Sequence, residues 1–179
     1  MSSKAGQMPA WVALVHGASR LLGVAAAALL LVSIFVVCQM VFVRAVLGES
    51  SIWQTEFVTY SLVASAFIGA PYILLTRGHV AVDVLPLMVR PAARRWLHLV
   101  GSLVGLSFCG FFLYAAVPWW HESWSTGLTT ASIWRARLWI PYLAVPVGLG
   151  LLCLQYAAEI WMVWTRREDP YGLAPEDHL

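Results

Sequence analysis

Four long stretches with no Asp, Glu, Lys or Arg decide what this chain can fold into: residues 21–43, 57–75, 97–117 and 140–158. They run for 23, 19, 21 and 19 residues. At about 1.5 Å of helical rise per residue each covers roughly 28 to 35 Å, close to a bilayer hydrocarbon core of about 30 Å. Strands of a membrane barrel would instead be short segments of alternating polarity, and no such alternation is present. In lipid every backbone polar group must be satisfied within the spanning element, which a helix does by itself. The expected fold is therefore an all-α integral membrane protein, one four-helix transmembrane domain over residues 1–179. Composition agrees, with 60% hydrophobic and 11% charged residues, against about 25% charged in soluble domains.

The first stretch exceeds the apolar region of a secretory signal, about 7 to 15 residues, and it ends in "QMVFVRAV" without a small-residue cleavage pattern. It is expected to be retained as a helix. Ahead of it, "MPAWVALVHGASRLL" sets Trp11, Leu14, Ala18 and Leu21 at helical spacing, with His16 and Arg20 on another face. Two readings fit: a separate interfacial amphipathic helix, or a span that starts early. With four spans, the N-terminus, the connection 76–96 and the C-terminal tail share one side. That side holds Lys4, Arg20, Arg77, Arg90, Arg94, Arg95, Arg166 and Arg167; the other has Arg44, Arg135 and Arg137. The excess of basic residues puts both termini in the cytoplasm. Trp53, Trp119, Trp120, Trp124, Trp134 and Trp139 then crowd the outer ends, while Trp96, Trp161 and Trp164 mark the inner ones, as interfacial aromatic residues do.

Just past the second span, "LTRGHVAVDVLP" brings Arg77, Gly78, His79 and Asp83 together. The cluster reads as a cytoplasmic turn: Arg77 snorkels to the headgroups, Gly78 ends the helix, and Asp83 caps a short interfacial helix with Pro86 in its first turn. Arg90, Arg94 and Arg95 follow and are placed to meet lipid phosphates. No metal site is expected, because the next histidine, His98, stands at no ligand-like spacing. A haem between helices would need facing histidines inside the bilayer, whereas His16, His79, His98, His121 and His178 lie at or beyond the boundaries. Phosphate loops, nucleophile elbows and zinc-protease motifs are missing from the sequence. Cys38, Cys109 and Cys153 fall inside spans and read as small apolar residues. The chain is expected to be no enzyme, to hold no cofactor and to bind no nucleic acid.

An ion or substrate pathway is normally marked by ionisable side chains inside the spans. Here Glu56 precedes the second span and Glu159 follows the fourth. Gln39 and Gln155 are the strongly polar uncharged residues within apolar stretches, and hydrogen bonding to a neighbouring helix accounts for both. Small residues at four-residue spacing, Ser61, Ser65 and Gly69, then Gly101 and Gly105, then Ala144 and Gly148, point to close helix contacts. A pump of its own would need more than this. The chain reads as a subunit serving another protein's pathway; an autonomous homo-oligomeric carrier and a membrane anchor for a redox complex are the other readings.

The run "WQTEFVTYSLVASAFIGAPYILLTRGHVAVDVLP" resembles the signature region of the small membrane subunit (DctQ-like) of tripartite ATP-independent periplasmic (TRAP) transporters. Trp53 and Glu56 open its helix, Phe67 and Gly69 follow, and "GHVAVD" closes it. Thr55 stands where members often carry a second acid. The resemblance implies a bacterial inner-membrane protein bound beside a large multi-helix subunit, which holds the substrate and sodium sites. A periplasmic binding protein would deliver an organic anion such as a carboxylate, and import would be sodium symport without ATP. Under that reading the chain is a scaffold in contact with membrane lipids, and Glu56 pairs with a basic residue of the large subunit or faces water. The outer segment "PWWHESWSTGLTTASIWRAR" either anchors the outer interface through its tryptophans or touches the binding protein.

Overall fold

The computed structural model describes residues 9–48, 52–76 and 91–167. Its elements are four helices: α1 (Ala10–Leu47), α2 (Ile52–Leu75), α3 (Pro91–Ser125) and α4 (Trp139–Trp164). All four are long and apolar enough to cross a membrane, and among the described residues the sole pairing of extended backbone is an isolated bridge between Thr129 and Arg137. The all-α expectation holds. Between 11% and 28% of the most apolar window of each helix is buried. The remainder, including Leu21, Phe35, Val104 and Phe111, faces outward, which costs nothing where the surroundings are lipid tails as apolar as leucine.

The segment ahead of the first apolar stretch is not a separate interfacial helix. α1 runs unbroken for 38 residues. Pro9 sits where its missing N–H is not needed, and its carbonyl accepts the Ala13 N–H at 3.1 Å. No proline interrupts the helix before it ends at Gly48, whose φ of 67° is the left-handed conformation that glycine adopts freely. α1 is about 57 Å long and α3 about 52 Å at the usual rise. Each exceeds the roughly 30 Å hydrocarbon core and must tilt or project from it.

Neighbours in space are not all neighbours in sequence. α1 lies along α2, α2 along α4, and α4 along α3, while α1 makes a smaller contact with α4. The two middle helices, α2 and α4, run parallel, so α3 is the crossover between them. α1 passes α2 where Gly23 meets Tyr72; a Cβ on Gly23 would stand 2.7 Å from Tyr72 Cβ. Tyr72 lies in the last turn of α2, so residues 10–19 of α1 continue past it and pack against α4 instead. There Val12 and Ala158 are fully buried, Met162 is nearly so, and Trp161 closes the cluster. Trp11 sets its ring edge-on to Trp161 at 5.7 Å. The tightest apolar core is thus at the end of the bundle that carries Ala10, Leu75, Pro91 and Trp164.

The contact between α2 and α4 has a local cause. Pro71 inside α2 lacks the N–H that would bond the carbonyl four residues earlier, at Phe67. That freed carbonyl is turned toward α4, and Gly148 backs onto it: a Cβ there would stand 2.5 Å from the Phe67 carbonyl carbon and closer to its oxygen. The glycine therefore presents Cα hydrogens to an oxygen left without its helical partner, a weak but directional contact. Proline in a membrane helix is tolerated when a neighbour meets the freed backbone in this way.

Candidate functional site

Two pairs of polar side chains bond across helices inside the apolar bundle. Gln54 of α2, only 2% exposed, donates its Nε2 amide to Gln39 Oε1 of α1 at 2.7 Å. Ser19 of α1 donates to Gln155 Oε1 of α4 at 3.2 Å, with both residues buried. Thr55 sits over the Met40 sulfur at 3.6 Å on the turn beside the glutamine pair. These bonds tie α1 to α2 near one end and to α4 near the other. Gln39 and Gln155 thus each bond a neighbouring helix, Gln155 through its Oε1 alone, since its buried Nε2 has no hydrogen-bond partner among the described residues. Gln54 does not stand out in the sequence, because it lies three residues ahead of the apolar run it serves.

The small-residue stripe of α2 faces inward: Ser61, Ser65 and Gly69 are all buried, and a Cβ on Gly69 would come within 3.2 Å of Ala26 Cβ. The pair on α3 divides. Gly105 lies against the Tyr156 ring, whereas Gly101 is exposed with nothing within 4 Å of a would-be Cβ. Spacing alone could not separate them, because only the position of Tyr156 on α4 does so.

Glu56 stands one turn into α2 and is half-buried, with carboxylate Oε2 shielded from solvent and without a hydrogen-bond partner among the described residues. Arg94, expected at the lipid surface, is 2% exposed and enclosed by protein. Arg95 donates to the Trp164 carbonyl at 2.7 Å and so closes the last turn of α4. Arg77, Gly78, His79, Asp83 and Arg90 lie outside the described residues. Among the described residues no group of three His, Cys, Asp or Glu side chains could hold a metal ion. Cys38, Cys109 and Cys153 are free thiols.

The opposite end is an aromatic girdle. α3 continues through "PWWHES" to Ser125, so this segment is helix rather than loop. Trp120 donates its ring N–H to the Trp139 carbonyl at 3.1 Å, Trp124 meets Trp139 edge-on at 4.5 Å, and Trp119 stacks on Tyr142 at 4.0 Å. Residues 126–138 form a hairpin held by the Thr130 N–H to Ala136 carbonyl bond and the Leu138 N–H to Leu128 carbonyl bond, each at 3.0 Å. The Thr130 hydroxyl accepts the Ala136 N–H at 3.1 Å. Trp134 near the tip leans on Trp53 at the start of α2, with ring centroids 6.5 Å apart.

Cross-helix polar bonds hold this bundle together, and the Glu56 Oε2 and Gln155 Nε2 atoms are buried beside them without a bond among the described residues. The family model for the DctQ component of the tripartite ATP-independent periplasmic transporters matches residues 33–166. The chain is 26% identical over 132 residues to the C4-dicarboxylate TRAP transporter small permease protein DctQ of Pseudomonas aeruginosa, covering 73% of this chain and 63% of that one. It is 28% identical over 109 residues to the protein of the same name from Rhodobacter capsulatus, covering 61% and 48%. To that of Vibrio cholerae it is 24% identical over 151 residues, covering 72% and 65%. The chain spans about half to two thirds of the length of these curated relatives. No solved structure matches it.

Proposed function

We propose that this chain, which belongs to the DctQ component family of the tripartite ATP-independent periplasmic transporters, is the scaffold subunit of a sodium-driven importer of organic anions. It holds a large transport subunit in the bilayer and carries no substrate site of its own. C4-dicarboxylates are the first cargo to test, because the relatives are named for them. The large membrane subunit and a periplasmic binding protein are its partners, and both termini face the cytoplasm, in keeping with the eight basic residues on that side.

The observation that carries this reading is the pairing of Gln39 with Gln54 and of Ser19 with Gln155, within or just ahead of the stretches 21–43, 57–75 and 140–158 that contain no Asp, Glu, Lys or Arg. A transport pathway needs polar groups that bind and release in turn. A support for a moving neighbour needs polar groups spent on holding its own helices in register. The long α1 and α3 add resistance to displacement, since each must tilt or project to fit the membrane. Asp83 and its neighbours would fix the cytoplasmic turn, and Glu56 would accept a basic side chain from the large subunit.

The test is sodium-gradient-driven uptake of C4-dicarboxylates in proteoliposomes that contain the large subunit with and without this chain, alongside co-purification of the two. Loss of the complex and of uptake on omission is the expected result. Full uptake without this chain would remove the scaffold role. Uptake by this chain alone would instead establish an autonomous carrier.

A further inference from the structure

The hairpin 126–138, which joins α3 to α4, is a closed element with an exposed tip. Its backbone is closed by the bonds from Thr130 to Ala136 and from Leu138 to Leu128, and the turn is tightened by the Arg135 N–H to Ser132 carbonyl bond at 3.2 Å. Gly127 and Arg135 take left-handed conformations, φ 62° and 48°, which shape the two bends. A left-handed arginine is uncommon and costs backbone energy, so the tip is held in a defined form. What it presents is Ile133, 90% exposed, next to Trp134 at 42%. A large aliphatic side chain in the open at a rigid tip is unfavourable in water, and no other described residue covers it.

The surrounding chemistry identifies the cover. Trp134 rests on Trp53, which begins α2, and Trp119, Trp120, Trp124 and Trp139 occupy the same end of the bundle. Tryptophans gather at the level of lipid headgroups, so the tip stands at the bilayer surface rather than far out in solvent. Arg135 and Arg137 follow Trp134 within three residues, both exposed, and residues 126–138 contain no acid. An apolar tip, an aromatic shoulder and two free-standing guanidinium groups match acyl chain, interface and phosphate in that order. The satisfied backbone allows the approach, because unbonded N–H and C=O groups could not enter the interface cheaply.

We propose that the hairpin 126–138 is a lipid anchor: Ile133 enters the leaflet at the Trp53 and Trp139 end of the bundle, and Arg135 and Arg137 bind the phosphates of anionic lipids. Such an anchor would hold the α3–α4 connection against the membrane, independently of any contact between this chain and other subunits.

Ile133→Cys in a cysteine-free background (C38A, C109A, C153A), spin-labelled and reconstituted in nanodiscs containing phosphatidylglycerol, tests this. The label should be more accessible to oxygen than to a water-soluble nickel chelate, the reverse of a label placed at exposed Thr126. R135Q with R137Q should shift the label toward the chelate in anionic nanodiscs and have no effect in purely zwitterionic ones. A label at position 133 as open to nickel as that at 126 in every lipid would overturn the proposal. So would oxygen exposure indifferent to both arginines, or shielding that appears only when a periplasmic binding protein is added. The same cysteine carrying an environment-sensitive fluorophore in the otherwise unaltered protein, read in native membranes, gives a second measurement if the cysteine-free background folds poorly: a blue shift relative to position 126 supports the anchor and equal emission overturns it.

Discussion

Gly148→Ala adds a single methyl group where α4 meets the backbone of α2. The new carbon would stand 2.5 Å from the Phe67 carbonyl carbon and 3.1 Å from the Ile68 nitrogen, where non-bonded carbon atoms sit about 3.5 to 4.0 Å apart. Backbone cannot swing aside as a side chain can, so the two helices must part by about 1 Å. Overpacking of this kind costs about 1 to 3 kcal/mol. For a chain of this size each kcal/mol moves the melting temperature by about 2 to 4 °C. Thermal unfolding of the detergent-purified protein, read by size-exclusion chromatography, should therefore show a drop of about 2 to 12 °C by these two scales. Gly101→Ala is the control. With nothing within 4 Å, it should melt at or above the parent, because alanine favours a helix over glycine by up to about 1 kcal/mol. Pro71→Ala supplies the missing N–H and would draw the Phe67 carbonyl back into line with α2, so Gly148→Ala should cost less in that background than alone. Equal melting of the Gly148→Ala and Gly101→Ala variants would refute the backbone contact. Additive losses with Pro71→Ala would refute its cause.

Replacing Gln54 with Leu leaves Gln39 unpaired and should destabilise α1–α2 packing by about 0.6 to 1.7 kcal/mol, the range for hydrogen bonds between membrane helices; Gln39→Leu with Gln54→Leu should recover most of this, and a double-mutant cycle without coupling would dissolve the pair. Arg95→Ala removes the donor on the Trp164 carbonyl, so amide hydrogen exchange across residues 161–167 should quicken while that of α2 stays unchanged. Asp83→Ala, in the turn proposed to fix the cytoplasmic connection, should lower the yield of the complex with the large subunit and leave substrate preference intact; an altered preference at normal yield would count against the structural role.

Periodicity and hydropathy report on one helix at a time, and this sets how much of the structure is legible in the sequence. Four helices can be read, because a run such as 21–43 without charge has no stable alternative in lipid. Their lengths cannot. Residues 10–20 look amphipathic taken alone, yet no proline or glycine cap separates them from the apolar run at Leu21, and α1 is continuous because α4 offers Ala158 and Met162 as cover. Contacts that depend on two helices at once are likewise only half visible. Gly148 stands out as a small residue at suitable spacing, but the carbonyl it meets is freed by Pro71 on another helix. Gly101 has the same spacing and no neighbour. Arg94 reads as a headgroup ligand, since nothing in its local sequence tells of the protein that encloses it.

The distribution of packing bears on the scaffold reading more directly than any single residue does. Burial in the apolar windows of the helices is thin, and close approach relies on four glycines: Gly23 against Tyr72, Gly69 against Ala26, Gly105 against Tyr156, and Gly148 against Phe67 and Ile68. At the end carrying the start of α1 and the finish of α4, the packing has a fully buried centre at Val12 and Ala158, a cross-helix polar bond from Ser19 to Gln155, and Arg95 closing the last turn of α4. At the far end aromatic stacking and the closed hairpin do the same for α3 and α4. Stiffness is therefore concentrated where the helices leave the hydrocarbon, and the middle presents broad apolar faces to whatever lies beside it. Helices fastened at both ends resist shear along their length even when their centres share few side-chain contacts, because sliding one past another would have to break the bonds at each end together. A support for a neighbour that moves across the bilayer needs this distribution, whereas a carrier, whose middle must open and close around its cargo, needs its flexible polar groups at the midplane.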